Sequence, residues 1–271
     1  MGAPAANSVL ERARGTGSIV AAARNGRSNL QRLYQEGCAR ILLPQVFDTA
    51  LHAVLVNTAG GLASGDRLSW QASAQEGARL VLTTQACERV YKSPGPEAHV
   101  AIRLQAGPGA HIDWLPQETI LFEHARLARR IDIDLDEKAS LCAVEAMVLG
   151  RSAMGETARN ARLADQWRVR RGGRLVHAEA TRIAGFPDRE RDGPALLGGA
   201  TAFASILYIG ADAETRKARL PPAAPGTGIS QVGERLVVRV LAPSGLALRQ
   251  RITPIITALS GAGTLPRLWS S

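Results

Sequence analysis

The strongest constraint on this chain is a rhythm. Short extended runs close on glycine turns, and no helical period intervenes over roughly the first 180 residues. Leu51-His-Ala-Val-Leu-Val-Asn57 is apolar and runs into Gly60-Gly61, and Ala78-Arg-Leu-Val-Leu-Thr-Thr84 follows the Glu76-Gly77 turn. His99-Val-Ala-Ile-Arg-Leu104 alternates and stops at Gly107-Pro-Gly109. Arg130-Ile-Asp-Ile-Asp-Leu135 alternates apolar and charged residues. A strand with one wet face gives that pattern, because successive side chains point to opposite sides of a sheet. Trp167 to Arg170 and Arg174 to Glu179 flank Arg171-Gly-Gly173, a tight hairpin in which glycine accepts the positive φ the turn demands. Without helices between strands, βαβ winding is disfavoured. The expectation is a mainly β protein of stacked or rolled sheets.

The last third differs. Asp212-Ala-Glu-Thr-Arg-Lys-Ala-Arg-Leu220 predicts a short helix with Asp212 as N-cap, stopped by Pro221-Pro222. Glu234 to Leu241 reads as a strand, and Ser244 to Leu259 as a helix begun by Ser244 that Pro254 should kink or interrupt. About two short helices are therefore expected. No linker forces a second domain, so one domain over 1–271 is expected, with about 1–15 and 262–271 as loose ends.

Composition narrows the function classes. Cys38, Cys87 and Cys142 are odd in number and form no CxxC pair, which argues for a reducing compartment and against a disulfide framework or zinc knuckle. Arg12 and Arg14 precede an apolar run of only Ile19 to Ala23, too short for a signal-peptide core, and nothing approaches a membrane span. A cytoplasmic protein with no membrane partner is expected. The net charge of +9 is almost all arginine, since Lys92, Lys138 and Lys217 are the only lysines. Aromatics make up 4% and do not interleave with the arginines, which disfavours a base-stacking nucleic-acid surface. A solvated basic face or an acidic protein partner remains.

Three stretches carry the remaining information. Asn57-Thr-Ala-Gly-Gly-Leu-Ala-Ser-Gly-Asp66 has the Gly60-xxxx-Gly65 spacing of a phosphate loop but continues Asp66-Arg67, where such a loop needs Lys-Ser or Lys-Thr. Its glycines instead suit a turn, and Asp66 caps that turn or belongs to a polar path or interface. Thr83-Thr-Gln-Ala-Cys-Glu-Arg-Val-Tyr91-Lys-Ser93 sets hydroxyls and Tyr91 beside a strand end. It offers no nucleophile elbow, and a lone Cys87 reads as buried filler. In Leu115-Pro-Gln-Glu-Thr-Ile-Leu-Phe122, Pro116 implies an edge or bulge, and Glu118 is exposed there or held in a polar interior.

Taken in order, these stretches resemble the urease accessory protein UreD (UreH) family, with Gly150 to Glu156 and Leu265-Pro-Arg-Leu-Trp269 extending the likeness from about Gly26 to Trp269. The positions that carry it are Asn57, Thr58, Gly60, Gly61, Gly65, Asp66, Thr83, Thr84, Tyr91, Lys92, Leu115, Pro116, Glu118 and Phe122. The resemblance implies a layered, helix-like winding of β-strands and a non-enzymatic maturation factor for urease. It further implies binding of a UreF-type accessory protein, of a UreG-type GTPase through it, and of apo-urease, with Ni²⁺ in transit and no stably bound cofactor. One departure stands out: the family's C-terminal helix is usually longer and rich in leucine and alanine, whereas Pro254 and Thr253 to Thr257 fall within it here.

His52, His99, His111, His124 and His177 are dispersed, and His111-x-Asp113 and Glu123-His124 make poor chelates, so no stable metal site is predicted. Carboxylates and water can pass a hydrated cation without gripping it. Asp66, Glu118, Glu145 and Glu179, each on or beside an apolar strand, are the candidates for such a path or for a partner-facing role. Arg249 and Arg251 are candidate partner-binding residues. The rival reading is a β-fold hydrolase with Glu118 and Asp66 as acid/base pair.

Overall fold

The computed structural model describes residues 12–151, 154–184, 192–261 and 265–269. Its core is a coil of strands that step alternately between two sheets. The strands β4 (Leu51–Asn57), β6 (Arg79–Thr84), β9 (His111–Leu115) and β12 (Ser140–Leu149) stack in parallel in one sheet. The strands between them, β5 (Arg67–Ala74), β8 (Ala98–Ala106), β11 (Arg126–Leu135) and β13 (Arg162–Arg171), stack in parallel in the other. Each coil takes about thirty residues: Arg67 pairs with His99 and His99 with Ala128, separations of 32 and 29. On a third side, β7 (Glu88–Val90) pairs with β10 (Thr119–Leu121), which pairs with the end of β12. In the sheet of β5, β8, β11 and β13 (the first sheet), β1 (Arg14–Arg24) extends the parallel stack beside β5, and β2 (Arg27–Gly37) and β14 (Arg174–Ala184) are the antiparallel ends. In the sheet of β4, β6, β9 and β12 (the second sheet), β3 (Ala39–Leu42), β15 (Ala202–Ile209), β16 (Thr227–Val232) and β17 (Arg235–Ala242) are added antiparallel. The mainly β, stacked expectation holds, and so does the hairpin, in which Arg171 pairs with Arg174.

The two sheets differ in sequence because they differ in burial. The sheet of β5, β8, β11 and β13 has one wet face, and β11 accordingly alternates between buried and more exposed positions. The sheet of β6, β9 and β12 is covered on both sides, and eight of the ten residues of β12 are buried. Between the sheets, in-register rows interlock. Gly17, Trp70, Ile102, Ile131 and Trp167 form one such row across β1, β5, β8, β11 and β13. A Cβ on Gly17 would lie 2.2 Å from the Trp70 ring, so glycine is what lets the indole lie across β1.

Helix α2 (Gly245–Leu259) covers the far face of the second sheet and is continuous, which corrects the expected interruption at Pro254. Leu248, Ile252, Ile255, Ile256 and Leu259 are buried at helical spacing, and this packing outweighs the one backbone hydrogen bond that proline removes. Ser244 caps the start through Ala247 N. Arg216, from helix α1 (Ala213–Ala218), donates to the carbonyls of Leu259 and Ser260 at the other end, 2.8 Å each. Asp212 stands at the N-cap of α1 but makes no cap bond, because Tyr208 and Arg216 engage its carboxylate instead.

The ends also differ from expectation where they are described. Arg14 and Gly15 already belong to β1, and Trp269 is buried with its indole N–H donating to Leu115 O at 3.0 Å. Residues 1–11, 262–264, 270 and 271 lie outside the described residues, as do Ser152 and Ala153 of the Gly150 stretch. Pro116 is not on an edge. It follows the last residue of β9, a strand flanked by β6 and β12, where no ladder donor is needed.

Candidate functional site

The coil brings the three motif stretches to one corner, stacked at intervals of 31 residues. Asn57 Nδ2 donates to Glu88 Oε1 at 3.1 Å, Tyr91 OH to Gly60 O at 3.1 Å, and Gly95 N to Ser64 Oγ at 3.2 Å, each across 31 positions. Thr58 closes the turn on Cys38 O, and Gly61 sits at φ 146° with its Cα against the Tyr91 ring. Tyr91 meets Phe122 edge to face at 5.2 Å, and Arg151 lies 4.3 Å over the Phe122 ring. Thr84 Oγ1 accepts from Gln117 N at 2.8 Å, tying the second stretch to the third. Thr83 is buried in β6 and Leu115 in β9, and Lys92 bridges to Ala125.

Behind this corner a narrow cavity of about 40 Å³ lies between the sheets, lined in part by Glu88, Thr119, Arg129, Glu145, Trp70 and Trp114. That volume admits water, one molecule needing on the order of 10–15 Å³ of it. Burial of these charges is tolerable only because they are paired. Arg129 forms a bidentate pair with Asp165, 3.0 and 2.8 Å, and an ion pair with Glu145, whose other oxygen accepts from Trp114 Nε1 at 2.8 Å. One guanidinium thus serves two carboxylates, a net charge of −1 when both are ionised. Burial, with the Asp165 charge adding to it, raises the Glu145 carboxyl above its ordinary range against the pull of Arg129. Burial pushes Glu88 up to about 7, since its principal side-chain partner is an amide. Both carboxyls therefore hold their protons more tightly than a solvated carboxyl does, because the low-dielectric slot disfavours the charged form.

The seam continues across the second sheet. Ser205 is the cross-strand partner of Glu145 and donates to Glu179 at 2.6 Å, and Glu179 pairs with exposed Arg239 at 3.0 Å. Burial pushes Glu179 up, but hydrogen bonds from His177 and Ser205 and the Arg239 charge outweigh it and bring it to about 2.

Of the four candidate carboxylates, then, Glu145 and Glu179 lie on this seam and the other two do not. Asp66 accepts from Ala13 N at 2.9 Å and Ala63 N at 2.7 Å, so it caps the glycine turn. Glu118 lies on the opposite side of its strand from Thr119 and pairs with Arg249, which holds its carboxyl below the usual range despite burial. Among the described residues Glu118 and Asp66 share no partner, and neither lines the cavity, so the two do not form an acid/base pair there. Arg249 also meets Gln117 and lies 5.5 Å over Trp269, while Arg251 donates to Leu241 O. Expected at a partner surface, both arginines are engaged by the chain's own body.

Glu88, Arg129 and Asp165 are the site residues that sequence reasoning missed. Parity would have found two of them: Arg129 shares the inward side with Leu127 and Ile131, and Asp165 with Leu163 and Trp167. Among the described residues, no group of three or more His, Cys, Asp or Glu forms that could hold a metal ion. No helix among them is long and apolar enough to cross a membrane.

Comparison with known proteins gives one answer. The model of the UreD urease accessory protein family matches residues 13–270. A urease accessory protein UreD of Chelativorans sp. (strain BNC1) is 57% identical over 265 residues, covering 96% of this chain and 95% of that protein. Another, of Rhizobium rhizogenes (strain K84), is 48% identical over 98% of both chains, and one of Brucella suis (strain ATCC 23445) is 46% identical over 96% of this chain and 95% of its own. With strand order, motif geometry and whole-length similarity in agreement, this chain belongs to the UreD urease accessory protein family.

Proposed function

We propose that this protein is a non-enzymatic scaffold in urease maturation, and that the seam between its sheets is a stage on the way of nickel to apo-urease. Ni²⁺ is cargo here, not a resident cofactor. The observation that supports this most is the pairing of Glu88 and Glu145 at one water-sized cavity, both with carboxyl pKa raised by burial. A hydrated divalent cation would displace their protons and meet hard oxygen donors, too few to trap it. Arg129 would then work as a movable counter-charge: as the cation neutralises Glu145, the guanidinium keeps Asp165. The scaffold would act in the cytoplasm with a UreF-type protein and, through it, a UreG-type GTPase. Nucleotide hydrolysis belongs to that partner, because the turn at Gly60–Gly65 continues into Asp66-Arg67 and carries no phosphate-loop lysine.

The test is co-expression of the urease subunits and the other accessory proteins of the same genome, with and without this chain. Urease activity and bound nickel are then measured. Nickel loading that requires this chain, and falls with Glu145→Gln and Glu88→Gln while complex formation persists, is the expected result. Equal loading without the chain overturns the maturation role. Full loading by both variants overturns the seam while leaving the scaffold.

A further inference from the structure

We propose that a second groove, on the rim of the coil away from the nickel seam, is a binding site for a phosphate-sized oxyanion. Its volume is about 250 Å³, and its lining includes Lys92, Ser93, His124, Arg126, Asn160 and Arg162. No carboxylate among the described residues belongs to that lining. The nearest acid in sequence, Glu123, is committed elsewhere: its oxygens accept from the backbone N–H groups of Arg159 and Asn160 at 2.9 Å each, and it stands 4.0 Å from His124 Nε2.

Three independent features of the groove call for an anion. The first is a like-charge pair. Arg126 and Arg162 are in-register neighbours on adjacent parallel strands, an arrangement that repels unless something negative lies between. Arg126 donates only to Gly95 O, at 3.3 Å, and the Arg162 guanidinium and the Lys92 ammonium have no partner among the described residues. The second is Ser93, which is 2% exposed and whose hydroxyl has no hydrogen-bond partner. A buried hydroxyl without a partner costs free energy, and an oxyanion in the groove would accept its proton. The third is His124, held at φ 60° in the left-handed region while its carbonyl accepts from Ser93 N at 3.0 Å. Non-glycine residues in that conformation are uncommon and gather at sites that need a fixed backbone. Together the groove offers two guanidinium forks, an ammonium and a hydroxyl, the donor set that suits tetrahedral oxyanions. Lys92 and Ser93 close the Thr83–Ser93 motif, and neither takes part in the interior seam.

The experiment is thermal unfolding of the full-length protein at constant ionic strength, with sodium phosphate replacing sodium chloride. Adenosine triphosphate is a second arm, to separate free phosphate from a phosphoryl group carried by a nucleotide. A saturable rise in Tm with phosphate is expected, since a ligand that binds only the folded state stabilises it by mass action. Arg162→Gln should weaken the apparent affinity about tenfold or more, as loss of a charge-assisted hydrogen bond does. Ser93→Ala should weaken it too while leaving the phosphate-free protein at least as stable, because it deletes an unsatisfied buried hydroxyl. Arg103→Gln, on the outer face of β8, serves as control and should change nothing. A triphosphate response with no phosphate response would reassign the groove to a nucleotide and overturn the free-anion proposal. Absence of any shift, or equal shifts in the Arg162→Gln and Arg103→Gln proteins, would overturn it as general screening of a basic surface.

Discussion

Arg129 and Asp165 occupy the same register position on adjacent parallel strands and bind each other through two parallel hydrogen bonds, 3.0 and 2.8 Å, with both side chains at most 7% exposed. The pair spans neighbouring coils and turns a third charge, Glu145, toward the cavity. Three charges buried together are costly, and their mutual attraction offsets that cost only while all three are present.

Arg129→Met should therefore be severely destabilising, by about 3–5 kcal/mol, because it strands two buried carboxylates. Adding Asp165→Leu and Glu145→Leu should recover most of that loss, since a buried ion triad replaced by apolar residues is often neutral or better. Urea midpoints of the single and triple variants measure both. A single variant within about 1 kcal/mol of the parent would show that water reaches the site and screens it.

Glu88 predicts an inverse pH effect. Its folded pKa of about 7 lies above the ordinary 4.5, so the folded state holds a proton that the unfolded state has released. Stability then falls as pH rises from about 4.5 through 7. Glu88→Gln keeps the acceptor for Asn57 and removes that penalty. The variant should gain on the order of 2 kcal/mol over the parent at pH 8, a figure reduced for partial solvent access, and nothing at pH 4. Equal gains at both values would mean that Glu88 does not hold its proton.

Gly61 bears on the motif corner. A Cβ there would lie 2.4 Å from the Tyr91 ring and 2.8 Å from Arg89 O, at a φ of 146° that side chains avoid. Gly61→Ala should cost about 2 kcal/mol or more. Tyr91→Ala on top of it should relieve only the ring contact, so a double-mutant cycle separates the two parts. Complete rescue by Tyr91→Ala would place the whole effect in the ring.

How much of this was legible beforehand follows from periodicity. Period-two reading of Arg130 to Leu135 locates β11, and carried back one residue it puts Arg129 on the inward side with Ile131 and Ile133. Weighing the arginines by charge before parity misses it. The coil itself leaves no repeat in the sequence. Stacked positions must fit one another without matching, as Trp70, Ile102, Ile131 and Trp167 do in one row. Glu88 was hidden for the same reason, since its partner Asn57 lies one coil away and nothing local marks the pair. Pro254 reads as a break on propensity, yet five buried side chains of α2 decide the matter.

The same packing logic makes the C-terminal turn a latch. Trp269 is 3% exposed, donates to Leu115 O at 3.0 Å and lies under Arg249 at 5.5 Å, while Leu268 O accepts from Gln117 Nε2 at 3.1 Å. It thereby seals the Leu115–Glu118 segment against α2. Trp269→Ala should cost about 3–5 kcal/mol through lost burial and an orphaned Leu115 carbonyl. Trp269→Phe should recover most of the packing but not the hydrogen bond, leaving about 1 kcal/mol. Chemical denaturation of both variants reads the difference. If Trp269→Ala unfolds at the parent's midpoint, the turn is only an ornament on α2 and the Leu115–Glu118 segment holds itself.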